Sequence, residues 1–101
     1  MAVGSSTVTT IKTGRVADAL AVSKKFNELI ARHGAKNLRT MLLMSSTPIR
    51  LVSSYEAEDQ AALGKIADSL LVDPDFEPLM NEAFGENGPS AGYITENWIE
   101  V

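Results

Sequence analysis

Residues 36–46, Lys-Asn-Leu-Arg-Thr-Met-Leu-Leu-Met-Ser-Ser, constrain this chain more than any other segment. Read as a strand, they send Leu38, Thr40, Leu42 and Met44 to one face and Arg39, Met41 and Leu43 to the other, because side chains alternate along extended backbone. Apolar residues on both faces need cover on both faces. Residues 93–101 repeat the pattern, with Tyr93, Thr95, Asn97, Ile99 and Val101 alternating against Ile94, Glu96, Trp98 and Glu100.

The segments between are equally patterned. Residues 7–13 are rich in β-branched side chains and read as a first strand, which Gly14 ends. From residue 15 to 32, Val16, Ala19, Leu20, Val22 or Ser23, Phe26, Leu29 and Ile30 recur at three- and four-residue steps, the buried stripe of a helix. His33-Gly34 closes it, with glycine at the left-handed C′ position. Ser46-Thr47-Pro48 reads as a tight turn into a third strand at 49–55. Ser53 and Glu56 have the spacing of a capping box for a second helix over 57–71, whose stripe is Ala62 or Leu63, Ile66, Ala67 and Leu70. The acidic residues Glu56, Glu58 and Asp59 would then occupy its first turn, where the helix dipole favours them. Asp73-Pro74 begins a short third helix through Phe76, Leu79, Met80 and Phe84, and the glycines of 85–92 mark a turn-rich connection to the last strand.

The order strand, helix, strand, strand, helix with a helical extension, strand is that of an α+β, ferredoxin-like βαββαβ plait with a four-stranded antiparallel sheet. Residues 1–6 read as a flexible leader and 7–101 as one ferredoxin-like domain. Two helices cover only one sheet face. A two-fold homodimer stacking sheet on sheet would bury the other, because an isologous contact matches a patch with itself.

Composition removes several function classes. The chain has 101 residues and no cysteine, so disulfides, thiolate catalysis and cysteine-ligated metal centres are excluded. Its net charge of −4 argues against nucleic acid and anionic membranes as partners. No apolar run approaches the roughly 20 residues that span a bilayer, and residues 1–6 lack the features of a secretory signal, so a cytoplasmic location is expected.

With this order and patterning, and with Asp73-Pro74-Asp75-Phe76-Glu77-Pro78-Leu79 after the second helix, the chain resembles the dimeric α+β barrel superfamily over about residues 7–101. The resemblance implies a homodimer with a ligand cavity between helices and sheet or inside the barrel. It includes cofactor-free oxygenases of the antibiotic-biosynthesis type, haem-degrading enzymes and muconolactone isomerases, and implies a pocket using asparagine, histidine and tryptophan. His33 ends the first helix instead of standing on the second, where the resemblance would place a haem ligand, so no cofactor is expected.

Candidate residues follow, each with two readings. His33, the only histidine, is the candidate general base, or simply a side chain meeting the carbonyls at a helix end. Trp98 and Tyr93 fall on opposite faces by parity, as ligand platforms or as packing. Arg39 and Arg50 would together hold a carboxylate or phosphate, or pair with Glu96 or Glu100. Without a second histidine or a calcium-loop spacing, no metal site is expected.

The leading expectation is a small apolar or aromatic ligand, bound or converted by cofactor-free oxygenation or isomerisation, in a cavity bounded by Phe26, Leu42, Arg50, Tyr55 and Trp98. The alternative is a non-catalytic dimerisation or ligand-sensing module. A third, RNA binding on an open sheet, is opposed by aliphatic strands and acidic charge. A cavity on the order of 300 Å³ or more with convergent polar groups separates the first from the others.

Overall fold

The computed structural model describes residues 2–45 and 47–101. Its elements are β1 (Val3–Ile11), α1 (Val16–Arg32), β2 (Lys36–Leu43), β3 (Arg50–Ala57), α2 (Gln60–Val72), α3 (Phe76–Phe84) and β4 (Ser90–Ile99). The strands form one sheet in the order β2-β3-β1-β4, every neighbouring pair antiparallel. β3 is thus inserted between β1 and β2, the split βαβ arrangement expected from the element order. Among the described residues no helix is long and apolar enough to cross a membrane.

Several boundaries differ from expectation, and tertiary pairing explains them. β1 begins at Val3, so residues 3–6 are strand rather than leader, and Val3, Gly4 and Ser5 are buried. Met1 of the expected leader lies outside the described residues, as does Ser46 of the expected turn. The small residues Gly4 and Ser5 carry weak strand signal, but β1 is flanked by β3 on one side and β4 on the other, and ladder hydrogen bonds fix it. The same pairing carries β3 to Ala57, opposite Val3, and keeps Ser53 and Glu56 in the strand, so the capping box does not form. Asp59 is the cap instead: its Oδ1 accepts from the Ala62 backbone N–H at 2.7 Å, worth about 1 kcal/mol. β2 stops at Leu43, leaving Met44 in the turn, and β4 starts three residues early, at Ser90.

The helices bury most of the expected stripes on one sheet face, but Leu20 of α1 and Ala67 of α2 are exposed. Leu63 and Ile66 of α2 pack on Val3 and Ala57, and Ala19 of α1 packs on Ile11 and Leu51. α3 rests against α1, through Val22, Leu29, Leu79 and Ala83. α2 therefore docks over β1 and β3 and does not reach across β4. Ile99, on the helix-covered face opposite Val3, consequently stays 46% exposed.

Among the described residues no helix covers the other face. The register lines up Met41, Val52, Val8 and Ile94 as one apolar row across all four strands. Its outer members are the most open, Met41 at 53% and Ile94 at 68% exposure. Trp98 also belongs here: its ring lies over Gly4, where an added Cβ would meet the indole at 2.3 Å, and its Nε1 donates to Ser6 Oγ at 3.0 Å.

Candidate ligand cleft

Where α2 leaves β4 uncovered, a half-open cleft of about 520 Å³ forms. Its helical wall is Gln60, Leu63, Gly64 and Ala67, one face of α2 at three- and four-residue spacing. Its strand side is Tyr55 on β3 and Asn97, Trp98 and Ile99 on β4. Gly64 and Ala67 keep the helical wall low, and a Cβ built on Gly64 meets nothing within 4 Å.

A polar row crosses the sheet at this end. Ser5 on β1 stands opposite Tyr55 on one side and Asn97 on the other, so the three share the helix-covered face. Ser5 is buried, and its hydroxyl hydrogen-bonds the Tyr55 phenol. Burial pushes the Tyr55 pKa up from its ordinary value, and the Ser5 contact opposes this more weakly. Tyr55 is therefore a neutral phenol at physiological pH. A neutral phenol and a primary amide beside apolar walls supply hydrogen bonds to a carbonyl or hydroxyl oxygen, and they supply no charge.

Of the residues singled out from sequence, the structure brings the Tyr55 side chain to this cleft; Trp98 borders it, but its ring lies on the opposite sheet face, over Gly4. Phe26 lies between α1 and α3, edge-on to Phe76 at 6.5 Å, and borders a void of only about 50 Å³. Leu42 packs against Ile11, Ala19 and Leu51. Arg50 stands at the other end of β3, opposite Thr10 and Leu43, whereas Arg39 stands opposite Ser54, so the two arginines are not cross-strand partners. Tyr93 packs on Phe84 of α3 with ring centroids 4.8 Å apart.

His33 is engaged elsewhere, at the joint between helices. Its Nε2 lies 2.7 Å from Asp73 Oδ2, while Asp73 Oδ1 accepts from the Asp75 backbone N–H at 2.9 Å. Arg32 adds an ion pair to Asp75 at 3.0 Å. The Asp75 N–H first, then His33, with Arg32 adding charge, hold the Asp73 carboxyl below its ordinary value. This cluster fastens the end of α1 to the link between α2 and α3. A second groove of about 520 Å³ runs between α1 and α3, where Lys25 pairs with Glu82 at 2.6 Å and Arg32 with Asp75, and Glu28 adds a further carboxylate.

Ser5, Gln60, Gly64, Ala67 and Asn97 did not stand out in the sequence as site residues. Asn97 carried a usable signal, a polar side chain at the helix-facing parity of the last strand. Ser5 carried none, because a Gly-Ser-Ser stretch reads as a leader until its partners are known.

Neither a family model nor a curated protein matches the sequence. Solved structures do resemble the fold. A NIPSNAP family protein of unknown function from Agrobacterium tumefaciens superposes with a TM-score of 0.78 at 10% identity, covering 96% of this chain and 86% of that one. An uncharacterized NIPSNAP domain protein from Burkholderia xenovorans gives 0.78 at 16% identity, covering 98% and 94%. SnoaB, a cofactor-independent oxygenase from Streptomyces nogalater, gives 0.69 at 17% identity, covering 98% and 92%. The chain shares with these structures an α+β, ferredoxin-like fold.

Proposed function

We propose that this chain binds a small apolar or aromatic compound in the cleft between α2 and β4, and does so as a homodimer whose open sheet faces pack together. The observation that carries the first part is the cleft itself: about 520 Å³, apolar walls, and Tyr55, Asn97 and Gln60 as its polar groups. That combination is what a small-molecule site requires. The fold shared with a cofactor-independent oxygenase supports chemistry on a compound of this kind without a cofactor. The row Met41, Val52, Val8 and Ile94 supports the dimer, since a two-fold axis sets such a row against its own copy.

Gly64 offers a direct test. A leucine there starts from a Cβ with nothing within 4 Å and fills space on the low helical wall, and removing a mid-helix glycine favours the helix by about 1 kcal/mol. Calorimetric titration with 2-acetonaphthone should show binding to the native chain and at least a tenfold loss in Gly64→Leu, with the melting temperature unchanged or raised. No binding to the native chain, or equal binding to the variant, would refute the assignment of this cleft.

A further inference from the structure

Resting on that reading of the cleft, we infer that it selects its ligand by charge: it takes compounds presenting an uncharged carbonyl or hydroxyl oxygen to Tyr55 and Asn97, and rejects carboxylates of the same shape. Three observations converge on this.

Among the described residues the lining contains no lysine, arginine or histidine. A carboxylate entering it would leave water without gaining a counter-ion, and an unpaired ion against apolar walls is strongly disfavoured. The donors present suit a neutral acceptor instead. Ser5, buried between Tyr55 and Asn97, bonds the phenol from the sheet side, and the Trp98 indole N–H is already committed to Ser6. The phenol is protonated at neutral pH already at its ordinary value of 10.0, which burial raises, so it can donate to a ligand oxygen.

The start of the helical wall is acidic as well. Glu58 and Asp59 precede the Gln60 end of the helical wall, Lys65 follows Gly64 on α2, and Glu96, opposite Ser6, points to the other sheet face. The N-terminus of α2, a local feature that attracts anions, is occupied by the Asp59 carboxylate, which accepts from the Ala62 N–H. Lys36 faces Glu58, just before that end, at 3.9 Å.

The test uses two probes of nearly one shape, 2-acetonaphthone and 2-naphthoate, titrated calorimetrically into the full chain at neutral pH. The ketone should bind at least tenfold tighter. Tyr55→Phe should weaken the ketone about tenfold, the effect of removing one buried hydrogen-bond donor, and leave the naphthoate unchanged. Asn97→Lys, at an exposed edge-strand position, should narrow or reverse the preference by supplying the missing cation. Equal or tighter binding of naphthoate to the native chain overturns the charge rule while the cleft assignment stands. Failure of both probes to bind overturns both.

Discussion

Gly4 and Trp98 are coupled across neighbouring strands, and the coupling is steric. No side chain fits at position 4, because a Cβ there would stand 2.3 Å from the indole. Gly4→Ala should therefore lift the ring, break the Trp98–Ser6 hydrogen bond and destabilise the fold by roughly 1–3 kcal/mol, the usual cost of overpacking. Trp98 is the only tryptophan, so its fluorescence should shift to the red while chemical denaturation reports the loss of stability. Residues of this kind were only half legible beforehand. The parity that separates Tyr93 from Trp98 is a property of any strand, but the glycine beneath the indole is visible only once β1 is known to extend to Val3.

At the scale of elements, the His33–Asp73 contact sets how α1 meets the link between α2 and α3. Because the Asp73 pKa in the folded chain lies below its ordinary value of 3.8, its contacts add stability above that value. The contribution is lost as pH falls through the folded-state value. Asp73→Asn should consequently lower the urea midpoint in neutral solution, and the gap between variant and native chain should close in acid. A gap of constant size across that range would assign the effect to shape instead of charge. The helices themselves were legible from periodicity, since Ala19, Val22, Leu29, Leu63 and Ile66 fall on the expected stripes. Their ends were less so: the Ser53–Glu56 box is a sound local signal defeated by pairing with β1, and Asp59 took over the cap.

The whole molecule presents one covered and one uncovered sheet face. Apolar residues on both sides of β2 and β4, together with the element order, were enough to anticipate the plait. The cleft was not anticipated at its actual place, because it depends on where α2 docks. A helix packed on β1 and β3 leaves the end of β4 bare, and no periodicity encodes that lateral position. The uncovered face leads to an expectation at this scale. Ile94→Lys alters an already exposed side chain, so the chain should still fold, yet it sets like charges into the row that two copies would share. Light scattering after size exclusion should show a dimer for the native chain and a monomer for Ile94→Lys; a native monomer would contradict the face-to-face assembly.

Binding in the α2–β4 cleft of such a dimer is the central claim, and native mass spectrometry with 2-acetonaphthone tests it most directly. The native chain should appear as a dimer carrying up to one probe per subunit, and Gly64→Leu as a dimer carrying none. A bare native dimer, or equal probe uptake by the variant, would contradict it.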